Sequence, residues 1–140
     1  MFKEIKTEKD IEELMEAYKI FHDSCVVNIK YESGLKVNED SAMEFPKTGE
    51  GHKMTVTFQS QIVAKTLELY FKGVRRFYLS ALTDNYTNEI FEGKICFIDT
   101  DKKLILWSDD IDFDLDKINI NLPEPQESFI ISDALSYKII

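Results

Sequence analysis

Ile11, Leu14, Met15 and Tyr18 recur at intervals of three and four residues, the period of one helix face, while Glu12, Glu13, Glu16 and Lys19 fall largely on the other side. Thr7 followed three residues later by Asp10 is a capping-box pattern, in which the Thr hydroxyl accepts an orphan backbone N–H. Glu8 and Asp10 also suit the positive end of the helix dipole. The pattern predicts a helix over 8–20 whose apolar stripe packs on the rest of the protein.

After Phe21 the period changes to two. Cys25, Val27, Ile29 and Tyr31 share one strand face, with His22, Ser24, Asn28 and Lys30 on the other. Met54, Val56 and Phe58 alternate with Thr55, Thr57 and Gln59; Leu67, Leu69 and Phe71 follow, and Gly73 marks a bulge or bend before 74–79. Thr83-Asp84-Asn85 reads as a turn. Phe91, Gly93, Ile95 and Phe97 form a further strand, and residues 99–102 turn the chain into 104–107. Residues 121–126, with Pro123 and Pro125, read as a connector, and 129–140 as one or two strands closing the sheet. The glycine-punctuated excursion over 34–51 is long enough to suggest a binding loop, with Met43 and Phe45 pinning it to the body. Short links without crossover helices predict an α+β, mainly β, single domain over 1–140. Its sheet, over about 22–140, is an antiparallel meander or partly closed barrel carrying one N-terminal amphipathic helix.

Composition narrows the partners. An apolar fraction of 44% in 140 residues supports one real core. Lys+Arg 17 against Asp+Glu 26 leaves a formal net charge of −9, which repels phosphate backbones and disfavours nucleic acid and anionic membranes. The same charge permits a basic protein partner. Cys25 and Cys96 lie far apart in apolar stretches, which predicts buried free thiols rather than a disulfide framework or zinc site. The N-terminus lacks the apolar run of a signal peptide, and no stretch approaches the ~20 apolar residues of a membrane span; a cytoplasmic location is the expectation.

Candidate chemistry is sparse. Phe21-His22-Asp23-Ser24 contains the pieces of a hydrolase triad, but a strand would send His22 and Ser24 to one face and Asp23 to the other. Asp23 is instead expected to accept backbone N–H groups at the helix-to-strand junction. In the run 108–116, Asp110, Asp112, Asp114 and Asp116 alternate with Ile111, Phe113 and Leu115. As a strand this gives a solvated acidic edge beside Asp109. It fails the calcium-loop template, since Leu115 stands where Gly is needed and Asn121 where Glu is needed. Arg75 and Arg76 should point to opposite faces, one of them toward a carboxylate or an anion. Trp107 suits a sheet rim, its ring buried and its N–H on an acceptor, with Tyr70 and Tyr78 as fellow members of a pocket. No glycine-rich phosphate loop, G-x-S-x-G elbow, H-E-x-x-H motif or Cys–His pairing is present. No catalytic residue, metal or cofactor is therefore assigned. The binding candidates are His22, Asp23, Arg75, Trp107, Asp109, Asp110, Asp112 and Asp114.

The Phe21-His22-Asp23-Ser24 strand start, the Leu67-Glu68-Leu69 segment and the run of 104–107 into Ser108-Asp109-Asp110 resemble small uncharacterised bacterial proteins, loosely similar to immunity partners of secreted toxins. The resemblance implies a bacterial protein and transfers no catalytic residue. Three functions remain open, in order of preference. The first is a non-enzymatic protein-binding module using the 34–51 loop and the acidic edge. The second is a small-ligand barrel, and the third an acid–base enzyme built on Asp23 and His22.

Overall fold

Helix α1 (Glu8–Ala17) begins at the expected cap: Asp10 N donates to Thr7 Oγ1 at 3.2 Å, and Thr7 N donates to Asp10 Oδ2 at 3.0 Å. The computed structural model describes residues 1–47, 51–81, 87–99, 102–118 and 127–140. α1 buries Ile11 and Leu14 and stops three residues short of the expected end. There Lys19, Ile20 and Phe21 all take positive φ, a left-handed turn that swings the chain into the sheet. Such backbone is costly for side chains other than glycine, and complete burial of Phe21 offsets it.

Seven strands form one sheet. They are β1 (Lys3–Glu4), β2 (Ser24–Glu32), β5 (Lys53–Ser60), β6 (Leu67–Tyr78), β7 (Lys94–Asp99), β8 (Lys103–Ser108) and β9 (Phe129–Ile139); β3 (Lys36–Val37) and β4 (Met43–Glu44) make a separate small hairpin. The order is β2-β5-β6-β9-β8-β7, every pairing is antiparallel, and the sheet does not close into a barrel. The last strand does not close an edge. β9 lies in the middle, paired with β6 along its length, and its other side is shared between β8 near Phe129 and β1 near Tyr137.

The sheet is strongly curled. Adjacent strands stand roughly 4.8 Å apart, so side chains on β5 and β8, three positions away, would be about 14 Å apart in a flat sheet. Yet the Phe58 and Trp107 rings meet edge to face at 5.4 Å. Phe21 fills the hollow between them, 5.1 Å from Phe58 and 6.4 Å from Trp107. Gly93 makes room for it: a β-carbon there would lie 2.9 Å from Phe21 Cδ2. An isolated bridge between Ser24 and Ile90 ties the start of β2 to the approach to β7. A second, smaller core of Leu106, Phe113, Phe129 and Ile131 lies apart from this one.

Several expected elements are corrected. In β2 the register slips between Val26 and Asn28, so Val26, Ile29 and Tyr31 oppose the buried Phe58, Val56 and Met54. That bulge breaks the simple alternation, and Cys25, expected inside, is exposed. Met43 and Phe45 do not anchor the 34–51 excursion, being 56% and 75% exposed; Pro46 instead packs over Gly34 and Gly51, the excursion's two ends. The strand expected at Phe91 starts at Lys94, leaving Phe91 outside it and exposed. Gly73 does mark a bulge, with φ +66 just before the register shift between Val74 and Arg76. Thr83-Asp84-Asn85, Thr100 and Asp101, and the 121–126 connector lie outside the described residues.

Candidate functional site

The acidic run does not form the expected strand edge. Asp110 makes only an isolated bridge with Glu92, and the chain then turns into a short 3-10 segment at Leu115–Lys117. The Asp side chains themselves cause this, by offering the backbone partners closer than a neighbouring strand. Asp110 Oδ1 accepts from Asp112 N and Asp114 Oδ1 from Asp116 N, each at 2.9 Å. Phe113 is buried, its ring 4.9 Å from that of Phe129, and Lys94 Nζ donates to its carbonyl at 3.1 Å. The segment is a strap over the second core, with an open cavity of about 690 Å³ at its edge.

His22 and Asp23 precede β2 and escape its alternation. Asp23 takes φ +54, and its Oδ2 reaches His22 Nε2 at 3.4 Å, so the two side chains expected on opposite faces meet. His22 Nδ1 lies 2.6 Å from the Phe91 carbonyl, which only accepts, so Nδ1 carries the hydrogen. The junction itself is held by backbone bonds from Asp23 N to Ile90 O and from Gln61 N to Asp23 O. Ser24 Oγ is buried and donates to Phe21 O at 2.5 Å rather than to His22. The triad pieces thus lack the nucleophile-to-base hydrogen bond that acyl transfer needs. Asp23, Cys25 and Glu89 instead edge an open hollow of about 420 Å³.

Arg75 donates through Nε and Nη2 to the same Asp133 oxygen, at 2.9 and 2.8 Å, while Arg76 lies over the Phe129 ring at 5.8 Å. Arg75 has its carboxylate, and the bulge between Val74 and Arg76 interrupts the alternation from which opposite faces were expected.

Trp107 is not at a rim. It is 0% exposed, and among the described residues its Nε1 has no acceptor. Tyr70 packs on Phe2 at 5.6 Å and Tyr78 joins the second core, so neither shares its pocket. Trp107 and Asp109 do come together, on the wall of a mostly enclosed cavity of about 140 Å³ between β2 and the segment before β7. That wall is a hydrogen-bonded frame centred on Ser128. Ser128 N donates to Asp109 Oδ1 at 2.9 Å, Ser80 N donates to Ser128 Oγ at 2.9 Å, and Ser108 Oγ donates to Ser128 O at 2.8 Å. Asn88 Nδ2 donates to Ser80 O at 2.7 Å, which fixes its amide and leaves Oδ1 buried without a donor among the described residues. Asn88, Ser80 and Ser128 were invisible as site residues in sequence, where they belong to no periodic run.

On the other side of this cavity, β2 has no ladder partner along its outer edge past the Ser24–Ile90 bridge, among the described residues. Val27, Ile29 and Tyr31 are all substantially exposed there, and Tyr31 leans on Phe77 at 5.1 Å while its hydroxyl meets His52 Nδ1 at 2.5 Å. Among the described residues no three His, Cys, Asp or Glu side chains gather closely enough to hold a metal ion, and no helix is long and apolar enough to cross a membrane. No protein-family model, curated protein or solved structure matches the chain.

Proposed function

We propose that the protein is a non-enzymatic binding module that takes an extended segment of a partner protein along β2. The observation that carries this reading is the placement of apolar surface. Of the fifteen large apolar side chains exposed among the described residues, seven lie between Val27 and Phe45. Concentrated apolar exposure beside an open strand edge is the chemistry of strand addition: main-chain hydrogen bonds supply affinity and side-chain contacts supply selectivity. The bulge at Val27 and the charge of Lys30 guard the edge against self-pairing, which leaves Asn28–Glu32 as the stretch a partner would use. A net charge of −9 favours a basic partner, as an immunity-type inhibitor would require.

The test is native mass spectrometry on tagged protein purified from its own host, beside the doubly substituted Ile29→Asp, Tyr31→Asp protein. A stoichiometric protein adduct on the parent and its loss from a folded variant support the reading. An adduct that survives both substitutions removes β2 as the docking edge. A parent that emerges bare over a range of salt concentrations argues against a stable partner altogether.

A further inference from the structure

We infer that the segment β2 accepts is an amphipathic strand of the pattern apolar–acidic–apolar, laid antiparallel so that its apolar side chains complete the main core. The inference rests on the strand-addition reading and adds the chemistry of the partner. Residues directly opposed in an antiparallel ladder share a face of the sheet. Ile29 opposes Val56 and Tyr31 opposes Met54, and both of these partners are buried. Across the curl, Phe77 opposes Ile130, which in turn opposes Trp107, again both buried. Ile29, Tyr31 and Phe77 therefore all stand on the core side, yet they are 39%, 40% and 41% exposed. They also converge: the Tyr31 and Phe77 rings are 5.1 Å apart, and Ile29 lines the same cavity as Leu79. Helix α1 reaches the core at its other end, where Tyr18 Oη lies 3.2 Å from the carbonyls of Phe58 and Lys65. Among the described residues the core thus stops one strand short along β2.

An added strand continues the pleat, so its chemistry is read from the residues it would face. The two positions opposite Ile29 and Tyr31 point inward, toward Phe77 and Leu79, and call for large apolar side chains. The position between them points outward and opposes Lys30. Opposite charges across a ladder are favourable and like charges are not. Lys30 faces the neutral Thr55 on its other side, and among the described residues its ion pair is with Glu32, at 3.0 Å. An acidic residue there is a local exception to the basic character that the net charge of −9 favours. The sense is antiparallel, as in every ladder of the sheet and in the Ser24–Ile90 bridge that already occupies the start of this edge.

The test is a titration of the ¹⁵N-labelled protein with the blocked synthetic peptide Thr-Val-Glu-Val-Thr, followed at the backbone amides of Asn28–Glu32. Their resonances should shift and saturate at concentrations on the order of millimolar for so short a probe. Val-Val-Glu-Thr-Thr has the same composition and charge without the alternation. It should bind about tenfold more weakly, the effect of one apolar side chain turned to solvent. Thr-Val-Lys-Val-Thr should bind about threefold more weakly than the acidic peptide. Phe77→Ala lies on β6, away from the docking edge, and should weaken the alternating peptide severalfold while leaving the scrambled one unchanged. Pairing through the edge of β2 alone would not register that substitution. The inference is overturned if no peptide shifts these amides, if the scrambled or the lysine peptide binds as tightly as the first, or if folded Phe77→Ala binds it undiminished. The peptide comparison uses the unaltered protein, so it decides the matter even where Phe77→Ala unfolds. Such a failure beside a host adduct lost on Ile29→Asp, Tyr31→Asp discards this pattern and keeps strand addition, whereas an adduct that survives those substitutions removes both.

Discussion

Gly73 lies directly under the Asp133 carboxylate: a β-carbon on residue 73 would stand 2.2 Å from Oδ2 and 2.7 Å from Cγ. Residue 73 also holds φ +66, so glycine is required there both by space and by backbone. The same carboxylate holds Arg75. Gly73→Ala should therefore destabilise the protein by about 1–3 kcal/mol, read as a lower urea midpoint at unchanged slope. An unaltered midpoint would mean that the bulge relaxes freely.

The capping box makes a paired prediction. Thr7→Ala removes the hydroxyl that accepts Asp10 N and should cost about 1 kcal/mol. Asp10 contributes through its charge. The Lys6 backbone N–H, then the Thr7 hydroxyl and N–H, and Lys3, hold its carboxyl below the ordinary 3.8. A depressed carboxylate stabilises the fold above its unfolded value, and that contribution is lost as pH falls through the folded one. The melting temperature of the parent should thus fall on acidification below about pH 4, more steeply than that of Asp10→Asn. Parallel acid limbs would show that the box carries no net charge effect.

The two thiols should react at different rates. Cys25 is exposed on the outer side of β2, whereas burial pushes the Cys96 thiol above its ordinary value. Since the thiolate is the nucleophile, iodoacetamide at about pH 8 should give one rapid adduct by intact mass, abolished in Cys25→Ser, and a second only slowly. Two adducts arriving together would contradict the placement of Cys96.

Phe113 is the rivet of the acidic strap. Phe113→Ala deletes the contact with Phe129 and should free the strap without dissolving the main core, whose cluster it does not join. Hydrogen exchange should accelerate at Asp112 and Asp116, whose amides bond to neighbouring Asp side chains, while β6 and β9 keep their protection. Uniform acceleration would show that strap and sheet open as one unit.

What could be read in the sequence was the periodic part. The stripe of α1, the Thr7–Asp10 cap, and the inward residues of β5 and the first half of β6 repeat without interruption, and each lies where its spacing predicts. Periodicity failed where one residue reset the phase. The slip at Val27 sends Cys25 outward, and the left-handed residues 19–21 and 23 bring His22 against Asp23. It failed again where side chains bonded their own backbone, as in the Asp110–Asp116 strap. The cavity was half legible. Trp107 and Asp109 drew notice by type, but their meeting with Asn88 and Ser128 depends on contacts between segments about 20 residues apart in the chain.

The position of β9 governs how the protein can be made. During translation, β2, β5 and β6 emerge as one antiparallel group and β7 and β8 as a hairpin, but the strand joining them is synthesised after both. Until it leaves the ribosome, β6 and β8 each present a bare edge, and β1 waits for a partner more than a hundred residues downstream. Such long-range closure is slow and leaves the nascent chain open to mispairing, so a pause or truncation ahead of Phe129 would release two half-sheets rather than a smaller version of the same domain.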